Sequence, residues 1–265
     1  MRSGAFLPSR PSRRYGQATK WESLRVSDGL GLGDLIAFSQ AEWTAIGLSL
    51  KVATIGALAS LPAALGVAWT LARKAFPGKA LLNALVHLPL VLPPVVTGWL
   101  LLIGFGRQGP IGHALERCCG LVFAFRWTGA ALAAAVMGFP LMVRAIRLSI
   151  EAVDERLEDA ARTLGAGGLG VFWTVTLPLA LPGIIAGLIL GFAKAIGEFG
   201  ATITFVANIP GQTQTLATAI YTDTQDPGGQ SATWRLTIVA IFIAFAAVLA
   251  SEALAARMKR RVDPA

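Results

Sequence analysis

Five stretches of this chain are apolar around the whole helical circumference, and that property removes most folds from consideration. They fall near residues 43–72, 81–105, 127–148, 177–200 and 232–256. A helix needs about 20 apolar residues to cross the hydrocarbon of a bilayer, whereas a helix on a water-soluble domain is apolar along one stripe only. Of the 265 residues, 54% are hydrophobic and 14% charged, against about 25% charged in soluble domains. The chain therefore reads as an all-α, polytopic membrane protein with five spans. Pro89, Pro93 and Pro94 predict a kink in the second span.

Charge gives the spans a direction. Arg73, Lys74 and Lys79 follow the first span, Arg144 and Arg147 end the third, Arg156 and Arg162 lie between the third and fourth, and Arg257, Lys259, Arg260 and Arg261 follow the fifth. The opposite side carries Arg107, Arg117 and Arg126, and no basic residue lies between 201 and 230. The positive-inside rule then predicts a cytoplasmic 151–170 segment and C-terminus. Residues 1–40 conflict with this, with six basic residues (Arg2, Arg10, Arg13, Arg14, Lys20, Arg25) on the external end. A further span over 29–38 is too short and contains Asp34. The expectation is a basic, disordered N-terminal extension over 1–40 or a start codon placed too early. Residues 41–257 then form the membrane domain and 258–265 a basic cytoplasmic tail.

Several chemistries are excluded. The adjacent Cys118 and Cys119 and the distant His87 and His113 have no metal-ligand spacing, so no metal or cofactor is expected and the cysteines read as two ordinary thiols in a loop. The net charge of +8 is dispersed among loop ends, so nucleic acid is not a partner. Gly165-Ala166-Gly167-Gly168-Leu169-Gly170 satisfies GxGxxG, but it follows a helix and lacks the acidic residue about 20 positions on; it reads as a flexible turn. No phosphate-binding loop occurs, so the chain does not split ATP by that chemistry. A secondary transporter acting alone would need ionisable residues at mid-span, where this chain is nearly bare of them, and a membrane-embedded enzyme would need a nucleophile–base set there.

The charged segment 151–170 is wedged between apolar runs and must lie in water. Glu151, Asp154, Glu155, Glu158 and Asp159 crowd its first half, as suits a helix N-terminus. Val153, Leu157, Ala160 and Leu164 recur at helical spacing, and Gly165 is placed for a left-handed C-cap. Asp159-Ala160-Ala161, then Gly165, then Leu177-Pro178 resembles the signature of bacterial ABC importer permeases, with Asp for the commoner Glu and Val175 for the commoner Ile. The resemblance implies a type I importer fold, a short cytoplasmic coupling helix and an ATP-binding partner subunit docking on it. Asp159, Ala160, Ala161, Gly165, Leu177 and Pro178 are the expected coupling residues.

A second set of stretches narrows the branch. Gly197 to Gly211, then Gln212-Thr213-Gln214-Thr215-Leu216, resembles the molybdate permeases, with sulfate and tungstate permeases as near relatives. Phe76-Pro77-Gly78-Lys79-Ala80, His87 to Val96, and Phe139 to Arg147 resemble the same branch. It implies an inner-membrane homodimer, a periplasmic molybdate-binding protein and ATP hydrolysis in the partner subunit. On a straight helix from Pro178, Lys194 stands about 24 Å and Glu198 about 30 Å up, near the external edge of the hydrocarbon. The two are expected to snorkel to water as an i, i+4 pair. Glu198, Thr202, Thr204 and Asn208 are candidates for lining a path or meeting a delivery protein. Glu198 argues against a tight anion site within this chain.

Overall fold

A computed structural model of the chain describes residues 37–262, with side chains of the last helix described through Ala253. The expectations for residues 1–36 and for the tail side chains lie outside the described residues. The described elements are helical: α1 (Gln40–Arg73), α2 (Lys79–Val91), α3 (Pro94–Phe105), α4 (Pro110–Cys119), α5 (Trp127–Glu151), α6 (Glu155–Thr163), α7 (Gly168–Val171), a π turn (Phe172–Thr176), α8 (Leu177–Ile196), α9 (Gly200–Val206), α10 (Leu216–Gln225) and α11 (Gln230–Val262). Four are long and apolar enough to cross a membrane: α1, α5, the continuous run Gly168–Ile196, and α11.

The expected second span is not one kinked helix. It is two helices, α2 and α3, bent by 112°. The reason lies in two consecutive prolines. A residue before proline is pushed out of the helical region by the pyrrolidine ring, so Leu92 is extended (ψ 145°) ahead of Pro93, and Pro93 (ψ 131°) ahead of Pro94. Two extended residues in series break a helix, whereas Pro62, Pro89, Pro140 and Pro182 sit inside continuous ones.

α5 is the most buried span and α11 the least. α5 packs against both α1 and α8, and small residues set how closely. A Cβ on Gly56 of α1 would stand 2.7 Å from the Ala131 carbonyl oxygen of α5, and one on Gly138 of α5 would stand 2.9 Å from that of Gly191 in α8. Between membrane helices the lipid supplies no hydrophobic drive, so close backbone approach and dispersion hold the contact. The core divides along the bundle. One cluster joins the starts of α1 and α5 to α9, α10 and α11; the other joins the ends of α1 and α5 to α2 and the start of α8.

The first cluster is fastened by polar contacts. Ser39 and Glu42 form a reciprocal capping box at the start of α1. The buried Glu42 carboxylate also accepts from Arg235 Nε of α11 at 2.8 Å. Ser49 of α1 accepts from the backbone N–H of Leu216, the first residue of α10, at 2.6 Å.

The α5–α8 contact predicts that Gly138→Val destabilises the bundle by about 1–3 kcal/mol, because backbone and not a flexible side chain must yield. Gly47→Ala, where a Cβ meets nothing within 4 Å, should not lower the melting temperature of the detergent-solubilised protein. Equal melting temperatures for both variants would contradict this packing.

Candidate docking surface and the opposite-end turn

α6 begins at Asp154, whose carboxylate accepts from the Arg156 N–H at 2.9 Å and so satisfies one free donor of the first turn. Its end is a Schellman cap. Gly165 takes φ 88°, its N–H donates to the Arg162 carbonyl at 3.0 Å, and the Ala166 N–H donates to that of Ala161 at 3.1 Å. The glycine expected at the left-handed position is there.

One carboxylate anchors this helix. Glu158 is 3% exposed. Its Oε1 accepts from Arg73 Nε at 3.1 Å and Nη2 at 3.0 Å, and from Thr176 Oγ1 at 2.8 Å. Arg162, one turn on in α6, stands 3.6 Å from Oε2. Arg73 also donates to the Val153 carbonyl at 2.9 Å and pairs with Glu155 at 3.3 Å. A buried charge is tolerable only when paired and hydrogen-bonded, and here the partners come from the last residue of α1 and the last of the π turn. Sequence reasoning missed Glu158 as the anchor and both of its long-range partners. In the sequence, Arg73 shows only as a charge that sets orientation.

The other faces of α6 point outward. Leu157 is 50% and Leu164 89% exposed, Ala160 is exposed between them, and Ala161 is half-buried. These positions follow i, i+3, i+4, i+7 and make one apolar strip. Only Val153 of the predicted stripe turns inward. Asp159 is exposed and pairs with Arg162 at 2.6 Å.

The glycine-rich stretch is not wholly a turn. The turn ends at Gly167, and Gly168 already opens the helix that becomes α8. Before α8 that helix widens, with the Leu177 N–H bonded to the Phe172 carbonyl five residues back. Pro178 has no N–H to donate, and its ring crowds the carbonyl four residues back, which favours this local π geometry. Leu177 is half-buried against the second core cluster and Pro178 is exposed. The widened turn sets Thr176, 1% exposed, against Glu158.

At the other end, Lys194 and Glu198 do pair, at 3.0 Å, but Glu198 does not snorkel. It is 3% exposed and its Oε1 accepts from the Ala201 N–H at 3.0 Å, capping α9. A carboxylate that caps a helix start has a reason to stay inside the protein. Thr202 is buried, and Thr204 donates back to the Gly200 carbonyl at 2.9 Å. Asn208 donates to Thr222 Oγ1 of α10 at 2.7 Å, while its buried Oδ1 has no partner among the described residues. The start of α9 lies on the start of α3: a Cβ on Gly200 would stand 2.7 Å from that of Pro94, and one on Gly98 2.6 Å from the Ala201 carbonyl oxygen. Thr97, buried in α3, holds the other unpartnered oxygen. The structure thus sets Thr204 of α9 against α3 of the broken span, places Glu198 just ahead of α9 as its cap and Thr202 buried within it, and ties Asn208 to α10.

The anchor predicts that Arg73→Ala leaves Glu158 buried without its main counter-charge, at about 3–5 kcal/mol. Hydrogen exchange should then quicken across 153–165 while α5 stays protected. Asp159→Ala, on the exposed face, should leave exchange unchanged. Uniform protection in Arg73→Ala would remove Glu158 as the anchor.

Comparison with known proteins follows the same lines. The family model for the binding-protein-dependent transport system inner membrane component matches residues 60–262. The chain is 59% identical over 220 residues to the molybdenum transport system permease protein ModB of Escherichia coli (strain K12), covering 83% of this chain and 96% of that one. It is 56% identical over 221 residues to ModB of Haemophilus influenzae, with the same coverage. Its fold matches a chain of a bacterial ABC transporter involved in the import of the acidic polysaccharide alginate, with a TM-score of 0.64 at 16% identity, over 90% of this chain and 87% of that one.

Proposed function

The chain belongs to the inner membrane components of binding-protein-dependent transport systems, and on that premise we propose that it is the permease subunit of an ATP-driven molybdate importer. The observation that carries the substrate is the 59% identity to a molybdenum transport permease over nearly that protein's whole length. Two copies form the translocation unit and two ATP-binding subunits hydrolyse ATP, one docked on each α6. A periplasmic molybdate-binding protein delivers the ion. The α6 end of the bundle and the C-terminus face the cytoplasm, in keeping with the basic residues gathered there.

The coupling follows from the anchor. The strip Leu157–Ala160–Leu164 offers a partner an apolar contact, and Ala160 and Ala161 permit close approach. Behind the strip, Glu158 grips Arg73 and Thr176. Force applied to α6 therefore passes directly to the end of α1 and the start of the α8 run. The Asp159 to Pro178 signature has two parts in this reading: residues 159–165 meet the motor, and Leu177-Pro178 shape the turn that receives the push.

The segment holding Glu198, Thr202, Thr204 and Asn208 borders the path or meets the binding protein. Support comes from its contact with the broken span and from the two unpartnered oxygens, of Thr97 and Asn208. Neutral groups of this kind suit an anion that must pass without being trapped, and the buried Glu198 keeps high-affinity anion binding in the separate delivery protein.

Two experiments test this reading. Cells lacking their own high-affinity system, supplied with this chain, its ATP-binding subunit and its binding protein, should take up molybdate in competition with tungstate and unaffected by excess sulfate. Uptake lost to sulfate would move the substrate to sulfate, and uptake without the ATP-binding subunit would overturn the docking scheme. Gly165→Leu forces a side chain into φ 88°, a strain of about 1–3 kcal/mol. Uptake should fall several-fold at unchanged protein level, while Gly167→Ala, in open space, should transport normally.

A further inference from the structure

The chain has two cysteines, and they are neighbours. Instead of lying in a loop, Cys118 and Cys119 form the last turn of α4, and both are exposed. Their Sγ atoms are 2.9 Å apart, nearer than sulfurs sit in ordinary van der Waals contact, and Cys118 Sγ also makes a long contact of 3.9 Å to the Leu115 carbonyl. We propose that Cys118–Cys119 is a redox-modification site that closes reversibly into a vicinal disulfide by exchange with a disulfide oxidant.

The exchange balances within the pair. One cysteine, as thiolate, attacks the oxidant disulfide, forming a mixed disulfide and releasing one thiol. The second, as thiolate, attacks the cysteine sulfur of that mixed disulfide and expels the other thiol. Two cysteines lose two electrons and two protons, and the oxidant becomes two thiols. The resolving sulfur is already beside the attacking one, so the mixed disulfide is short-lived. The Cys119 thiol is held above its usual value, first by its hydrogen bond with Cys118 and then by the charge of that neighbour. Closure therefore quickens as pH rises, because the thiolate is the attacking species.

Reversibility follows from geometry. Adjacent Cα atoms are about 3.8 Å apart across a trans peptide, below the roughly 4.4–6.8 Å usual for disulfides. Strained, exposed disulfides are the easily reduced ones. Closing the ring twists the 118–119 peptide out of helical geometry. It thereby releases the α4 cap, where Gly120 N–H meets the Glu116 carbonyl at 3.0 Å and Leu121 N–H that of Leu115 at 3.3 Å. The freed segment leads into α5 and includes Phe125 at φ 57°. On the proposed orientation this loop faces the periplasm, where disulfide oxidants are present.

The test uses the purified full chain in detergent, so it does not depend on orientation or on transport. After treatment with oxidised glutathione and alkylation, the peptide holding both cysteines should have lost two hydrogens, carry no alkyl group and be restored by dithiothreitol. C118S should stop at a single glutathione adduct. Amide exchange over 116–126 should rise on oxidation in the wild type only. Two glutathione adducts or covalent dimers would each overturn the proposal. Labelling of intact cells with a membrane-impermeant maleimide reports the side of the membrane separately.

Discussion

The carboxylate of Glu158 sits where α1 and the π turn end and α6 begins, and the geometry of α6 depends on it. Arg73 closes α1, Thr176 closes the π turn, and Glu158 lies in the first turn of α6. An isolated charge at that depth would be untenable. With a two-nitrogen grip from one guanidinium and a hydroxyl besides, it fixes a nine-residue helix that has little apolar surface turned inward. The outward strip can then be spared for a partner. The same device recurs at the far end, where Glu42 meets Arg235 across α1 and α11, and Glu198 holds the start of α9. Between them the spans approach closely at glycine and alanine.

Under the proposed function, that division would let a mostly apolar bundle transmit a displacement. α5 is packed on both sides through Gly56, Gly138 and Gly191 and forms the stiff centre. The helices around it are tied to the surface elements by polar clamps at their ends. In the proposed coupling, a push at α6 would reach helix ends first, where α1 and the α8 run are gripped, rather than the middle of α5.

Much of this was legible in the sequence. The spans follow from hydropathy because a lipid-exposed helix cannot hide a polar face, and Gly165 follows because a helix stop has a known left-handed geometry. The broken second span was only half legible: three prolines announced a kink, but the adjacency of Pro93 and Pro94 was the stronger signal and converts a kink into a break. Which acid is buried was not legible. Five carboxylates crowd residues 151–159, and helical periodicity ranks none above the others. Only the placement of Arg73, 85 residues from Glu158, selects it. Glu198 was misplaced for a related reason. Its height on an ideal helix suggested water, but α8 stops at Ile196 and the carboxylate turns back to cap the next helix.

The proline pair has a consequence for solvent as well as for shape. In an uninterrupted helix the carbonyls of Pro89 and Leu90 would receive hydrogens from the nitrogens of residues 93 and 94, and both of those are prolines. Neither nitrogen carries a hydrogen. Hydrocarbon offers no substitute, so irregular backbone at membrane depth is tolerated only against protein or beside water. Val91, 81% exposed, lies next to these two carbonyls at the elbow. Where that elbow lies at membrane depth, protein or water must take the place of the two missing hydrogens.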